Sequence, residues 1–196
     1  MEYADILVGP GIERGLLGPR EADKVWDRHI MNCAVVAEPD LEVIGTGARI
    51  ADIGSGAGLP GLVWALVRPD VSVVLIESLL RRVTFLTECI TALELTNRVQ
   101  VVRARAEEAA GHPGSFNIVT ARAVAPLGNV ARWAAPLLLP NGALVAIKGE
   151  SAKEEVARDR QILEESGLSD PVVTQMGQGV VDPPTTVVMA RLAKAE

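Results

Sequence analysis

The residues best placed to do chemistry lie between Ile50 and Gly61, in the run Ile-Ala-Asp-Ile-Gly-Ser-Gly-Ala-Gly-Leu-Pro-Gly. An apolar strand runs into Asp52, a glycine-rich turn follows, and a helix opens at Pro60. Residues without side chains permit a tight bend and let a ligand approach bare backbone. The first N–H groups of the following helix point at the same place. The arrangement suits a nucleotide-like cofactor. Glu77 closes the next apolar run, roughly twenty residues past the glycines, where an acid can accept hydrogen bonds from both hydroxyls of a ribose.

Two fingerprints overlap in this turn. Gly56-x-Gly58-x-x-Gly61 is the G-x-G-x-x-G of dinucleotide-binding folds. Asp52-x-Gly54-x-Gly56 is the acidic start that S-adenosylmethionine (AdoMet) methyltransferases carry at the same strand end. A carboxylate at position 52 suits a cofactor with an ammonium group and a sulfonium centre. It suits a pyrophosphate poorly, because like charges repel. Glu77 does not discriminate, since both cofactors carry the diol. Length does: 196 residues leave no space for the second domain of a classical dehydrogenase. A short-chain dehydrogenase needs a catalytic tyrosine, and the only tyrosine is Tyr3, ahead of the fold. AdoMet is favoured over NAD.

The elements that must position these residues alternate along the chain. Periodicity predicts a helix over 20–38, with apolar positions Val25, Trp26, Ile30, Cys33, Ala34 and Ala37, ending at Glu38-Pro39-Asp40. Strands are expected at Arg49–Ile53, Val71–Ile76, Val99–Arg103, Asn117–Thr120, Ala143–Ile147, Val172–Gln175 and Thr186–Leu192. Helices are expected over 60–67, 79–95, 126–138 and 152–166, with a short helical turn near Glu107. Continuous apolar runs such as Val73–Ile76 suit strands buried on both faces of a parallel sheet. The last two strands have no helix between them and should pair antiparallel. The expectation is a Rossmann-like α/β fold of the class I methyltransferase layout, with a seven-stranded, mostly parallel sheet and an antiparallel terminal hairpin. A helical segment over 1–40 would precede a methyltransferase domain over 41–196.

Composition bounds the rest. With 48% hydrophobic and 22% charged residues, the chain fits one sizeable globular domain. No apolar run approaches the ~18 residues of a membrane span, and no secretory signal is visible, since Glu2 and Asp5 stand where a basic region before an apolar core is expected. Cys33 and Cys89 lack partner spacing and read as buried small hydrophobes in a reducing cytoplasm. Two histidines and two scattered cysteines argue against a metal site. The net charge of −6 does not advertise a nucleic-acid binder. Its distribution matters more: seven acids between Glu150 and Asp170 face only Lys153, Arg158 and Arg160, which suggests a solvated helix face. Arg81, Arg82, Arg98, Arg103 and Arg105 outnumber the acids in mid-chain and could form a basic surface near the cofactor.

The turn and several later elements together resemble one family. Asp52-Ile-Gly-Ser-Gly-Ala-Gly-Leu-Pro-Gly61 resembles the signature of the RsmG (GidB) family, and its Leu-Pro-Gly ending is more specific than a general methyltransferase loop. Trp26-Asp-Arg-His-Ile30, Ser78-Leu-Leu-Arg-Arg82, Arg105-Ala-Glu-Glu108, Thr120-Ala-Arg-Ala123 and Ile147-Lys-Gly149 are similar to further family elements in the same order. The similarity spans roughly residues 18–192. Family members usually begin with a longer N-terminal helix, so this chain would start inside it. The resemblance implies an AdoMet-dependent enzyme that methylates guanine N7 in the 530 loop of 16S ribosomal RNA, and that its loss gives low-level streptomycin resistance. It implies that Gly54 and Leu59 line the cofactor, that Ala106 and Glu107 flank the adenine, and that Arg122 sits at the methyl-donor end. Arg105 and Arg191 match arginines on the RNA side.

Guanine N7 has a free lone pair and no proton, so attack on a sulfonium methyl needs no general base. Catalysis then rests on alignment, with Arg122 and Lys148 as candidate positioning groups. Arg81 and Arg82 open a helix, where the dipole disfavours cations, and make more sense facing phosphate. Lys148 is open between RNA binding and a solvated strand cap, and Arg122 has the competing role of a strand-end salt bridge. His29 suits a structural hydrogen bond, and His112 a loop. Trp26, Trp64 and Trp133 suit the core. The expected partner is 16S rRNA or the small ribosomal subunit, and the expected state a monomer. A methyltransferase for a small molecule or protein, and a non-catalytic nucleotide-sensing or RNA-binding module, are the alternatives.

Overall fold

The computed structural model describes residues 2–38, 43–111 and 115–193. Pro39, Asp40, the expected boundary at 40/41 and His112 lie outside the described residues. Seven strands form one sheet: β1 (Arg49–Ile53), β2 (Ser72–Glu77), β3 (Val99–Arg103), β4 (Phe116–Arg122), β5 (Leu138–Lys148), β6 (Leu168–Met176) and β7 (Thr185–Leu192). Their order is β3-β2-β1-β4-β5-β7-β6. β1 pairs in parallel with both β2 and β4, while β7 runs antiparallel between β5 and β6. Strand order reverses between β1 and β4, which opens a crevice outside their carboxyl ends.

The strands divide their side chains between two apolar cores by simple alternation. Val73 and Leu75 face one core, Val74 and Ile76 the other. The first core is covered by α3 (Gly61–Val67), α4 (Leu80–Ala92) and the N-terminal segment. The second is covered by α5 (Leu127–Ala134) and α6 (Ala152–Glu165). Tyr3, Leu7, Val25 and Cys33 are buried with Ile50 and Trp64, so the N-terminal segment shares the sheet's core.

That segment is not the single α-helix expected over 20–38. It comprises α1 (Glu2–Ile6), a π-helix at Leu7–Gly11, a 3-10 helix at Pro19–Lys24, a second π-helix at Val25–Met31, and α2 (Asn32–Ala34). Val25 and Ile30 are buried five residues apart, the repeat of an i→i+5 turn rather than an α-turn. The same winding leaves Trp26 49% exposed, against the expectation of a core residue. Trp64 is fully buried and donates its indole N–H to the Cys33 carbonyl at 2.9 Å. Trp133 packs partly buried against the second core. Both cysteines are free and buried.

Helix α6 is not simply a solvated acidic face. Glu155 Oε2 accepts the Leu127 N–H at 2.9 Å and Asp159 Oδ2 accepts the Gly128 N–H at 2.8 Å. Two acids of the run therefore turn inward and cap the first turn of α5, where unpaired N–H groups need acceptors.

Candidate active site

The turn after β1 is held by its own backbone. Gly54 and Ser55 donate to the Ile76 carbonyl, and Gly58 and Leu59 to the Ser55 carbonyl. Gly54, Gly56 and Gly58 all take positive φ. At Gly58 (φ +98°) a side chain would also run into Leu62 and the Tyr3 hydroxyl. At Gly61 a Cβ would lie 2.7 Å from Asp52 Oδ2. Glycine there lets the carboxylate reach the backbone, and Oδ2 accepts the Gly61 N–H at 3.0 Å.

Asp52 is fully buried, and its other oxygen, Oδ1, has no donor among the described residues. Burial pushes its carboxyl up to about 7, Glu77 adds to the rise, and the Gly61 and Ser55 hydrogen bonds oppose it. Glu77, the last residue of β2, is also buried rather than a solvated strand end. Its Oε2 accepts the Gly56 N–H at 3.1 Å and its Oε1 the Leu79 N–H at 2.9 Å. The Ala104 N–H donates to the Glu77 carbonyl at 3.2 Å, bringing the segment after β3 to the same rim. Ala106 and Glu107 open a 3-10 helix there (Ala106–Gly111), with Glu107 exposed. Leu59 is 8% exposed and belongs to the first core.

Arg122 ends β4 on the far side of the crevice. Among the described residues it is held by hydrogen bonds to uncharged acceptors rather than by a strand-end salt bridge. Its guanidinium donates to the carbonyls of Arg28 (3.3 Å) and His29 (3.4 Å), to Cys33 Sγ (3.2 Å) and to His29 Nδ1 (2.7 Å). His29 Nε2 lies 2.8 Å from Glu21 Oε2. Next to Arg122, Val124 sits over Gly54, so the loop after β4 covers part of the turn. A cleft of about 930 Å³ opens beyond it, with Arg28, Asn32, Arg122, Lys148, Ser151 and Thr186 in its wall.

The other candidate basic residues do not all stand together. Arg81, Arg82, Arg103 and Arg105 lie at the carboxyl ends of β2 and β3, the last two beside a hollow of about 330 Å³. Arg81 is exposed, Arg82 approaches Glu77 Oε2 at 3.5 Å, and Arg105 is paired loosely with Glu107 at 3.9 Å. Arg98, whose Nη1 donates to the Arg68 carbonyl before β2, lies at the opposite end and does not join them. Lys148 is neither a solvated cap nor a free cation. It donates to the Ala125 carbonyl and to Glu155 Oε2, both at 2.9 Å, with 9% of its side chain exposed. Arg191 needs a correction: it pairs with Ala143, at the amino ends of the parallel strands, whereas Lys148 at the carboxyl end pairs with Thr186. Because β7 runs antiparallel, its last residues return to the sheet edge away from the glycine turn.

Sequence reasoning missed Tyr3. The residue set aside as lying ahead of the fold is buried, and its hydroxyl donates to the Ala57 carbonyl, inside the turn, at 2.6 Å. No local pattern announces a contact made across 54 residues. Its being the lone tyrosine, beside Ala4 and Ile6, was the available signal.

Comparison with known proteins places this geometry. The GidB family model, described as rRNA small subunit methyltransferase G, matches residues 1–181. The chain is 54% identical over 191 residues to "Ribosomal RNA small subunit methyltransferase G" of Salinispora tropica, covering 95% of this chain and 77% of that one. It is 51% identical to the protein of the same name from Mycolicibacterium gilvum (98% and 83% covered) and 46% to that of Streptomyces avermitilis (100% and 80%). Among solved structures, a putative S-adenosyl-L-methionine-dependent methyltransferase from Methanococcus maripaludis superposes with a TM-score of 0.68 at 16% identity, covering 90% of this chain and 92% of that one. A SAM-dependent methyltransferase from Aquifex aeolicus gives 0.62 at 18%, covering 87% and 96%. The structural likeness shows the class I methyltransferase fold, and the sequence match shows more: this chain belongs to the GidB family of small-subunit rRNA methyltransferases.

Proposed function

We propose that the protein transfers a methyl group from AdoMet to N7 of a guanine in the 530-loop region of 16S rRNA, as a cytoplasmic monomer. The observation that carries the reading is the Asp52–Gly61 turn in a chain that matches the family along nearly its whole length. A fully buried carboxylate oxygen without a donor is costly to leave unmade, by about 1–3 kcal/mol. An ammonium-bearing ligand at the turn relieves that cost, directly or through a water. Gly54, Gly58 and Leu59 shape the turn and Gly56 leaves open space for close approach, Glu77 supplies acceptors for a ribose, and Ala106 and Glu107 border the adenine.

When bound, AdoMet supplies an electrophilic methyl on a sulfonium. The protein's part is to orient the base and exclude competing nucleophiles. N7 has no proton to remove, and the site agrees: His29 Nδ1 is already engaged by Arg122, so among the described residues no free imidazole base faces the cleft. Among the described residues the hydrogen-bond acceptors that hold Arg122 are uncharged, which leaves its positive charge available to guanine O6 or a phosphate oxygen. Methylation makes the purine cationic, and repulsion from the same guanidinium then favours product release. Arg81, Arg82 and Arg105 are the remaining candidates for phosphate contacts, and Lys148 positions the Ala125 carbonyl rather than RNA.

Incubation with methyl-labelled AdoMet and 16S rRNA, naked and within the small subunit, tests the reading. Label in N7-methylguanine is expected with at least one of the two substrates. Label that enters only protein or small molecules overturns it, as does bound AdoMet with no transfer at all.

A further inference from the structure

Arg122 reaches across 93 residues of chain to the N-terminal segment. A guanidinium carries donors only, so its 2.7 Å contact requires His29 Nδ1 to be an unprotonated acceptor. The neutral ring then carries its proton on Nε2, and that N–H donates to Glu21 Oε2. Only one protonation pattern satisfies all three residues. Burial pushes the Cys33 thiol up to about 11, so this partner of Arg122 is uncharged as well at neutral pH. The cleft's cation is thus fixed in place by an element remote in sequence, and its charge is not neutralised there.

We propose that His29 is a positioning residue for methyl transfer: it holds Arg122 at the cleft wall, and Glu21 fixes the ring tautomer that allows this. The inference rests on the reading of the cleft as the place where the target base meets the methyl donor. Three charged groups face the ring: Arg122 from β4, Glu21 from the 3-10 helix, and Arg28 from its own helix. Burial and then Arg122 depress its proton affinity below the ordinary 6.5, with Glu21 opposing. Protonation puts an N–H on Nδ1 against the guanidinium and breaks the contact. Methyl transfer should therefore hold at neutral pH and fail as the ring protonates in acid.

The test compares wild type, His29→Leu and His29→Asn at saturating AdoMet, using 16S rRNA or small subunits as substrate. His29→Leu is expected to lower kcat at least tenfold with KM for RNA within threefold. His29→Asn places an amide oxygen close to where Nδ1 stands and cannot protonate in this range. It should recover at least a third of wild-type kcat, and as the pH is lowered from 7 into the acid range its kcat should fall less than that of the wild type. Wild-type kcat in His29→Leu, or superimposable pH profiles for wild type and His29→Asn, overturns the proposal. If His29→Leu does not fold, the His29→Asn profile decides alone. A wild type that methylates no RNA overturns the reading of the cleft and this inference with it, whereas an active His29→Leu overturns the inference only.

Discussion

Asp52 has two oxygens with different fates. One is tied to the Gly61 N–H and shapes the turn; the other is buried without a donor. The carboxyl is held near 7, against an ordinary 3.8. Its contribution to stability is therefore complete below about 3.8 and is lost as pH rises through about 7. Asp52→Asn keeps an acceptor for Gly61 and removes the buried charge. Thermal melts should show a Tm at pH 8 no lower than wild type and a flatter Tm between pH 4 and pH 7. Calorimetry should show AdoMet affinity at least tenfold weaker. A lower Tm at pH 8 together with unchanged affinity would contradict this account. Tyr3 acts on the same turn from behind. Tyr3→Phe leaves the buried Ala57 carbonyl without its donor, a cost of about 1–3 kcal/mol. Urea unfolding should show that loss, and AdoMet binding should weaken several-fold if the turn depends on the contact. The places of Asp52, Glu77 and the glycines at the strand ends were legible in the sequence because they follow from local spacing. Tyr3 and the Arg122–His29 contact were not, because both are made by residues far apart in the chain.

At the scale of elements, β1 and β3 coincide with their expected bounds, and β2 and β7 are displaced by about a residue. Strands buried on both faces announce themselves as continuous apolar runs. β5 and β6 extend well beyond expectation, because pairing resumes past irregular stretches at 139–142 and 170–171 that no apolar run marks: Leu138 pairs with Phe116, and Leu168 and Ser169 pair with Leu192 and Arg191. The N-terminal helix failed as a reading because a 3.6-residue period was assumed where the backbone winds as π and 3-10 turns. Helix α6 was misread for another reason: charge density suggested solvent, while position decided which acids turn inward. Glu155 joins three elements, accepting Leu127 N–H from α5 and Lys148 from β5. Its carboxyl is held below the usual range by Lys148 and the Leu127 N–H, although burial works against them. Glu155→Ala removes both contacts from a largely buried pair and should lower stability by about 2–3 kcal/mol in chemical denaturation. An unchanged midpoint would show that the three elements do not depend on this junction.

Across the whole molecule, the strand reversal between β1 and β4 sets the glycine turn and Arg122 on either side of one crevice, while the N-terminal segment shares the core beneath them. With a net charge of −6, RNA attraction depends on where the arginines stand rather than on the total. Arg81 stands near the rim and Arg191 at the opposite sheet edge. Arg81→Ala should lower kcat/KM for rRNA several-fold and make the logarithmic salt dependence shallower by about one charge. Arg191→Ala should leave both within twofold. The reverse ranking would move the RNA to the other edge of the sheet. The most direct test of the central claim uses small subunits from cells lacking this enzyme, treated with AdoMet and either wild type or Asp52→Asn, with the 16S rRNA then cleaved at N7-methylguanine and mapped. The account predicts one new cleavage site in the 530 loop with wild type and at least tenfold less with Asp52→Asn. No new site with wild type, or equal cleavage with both proteins, would contradict it.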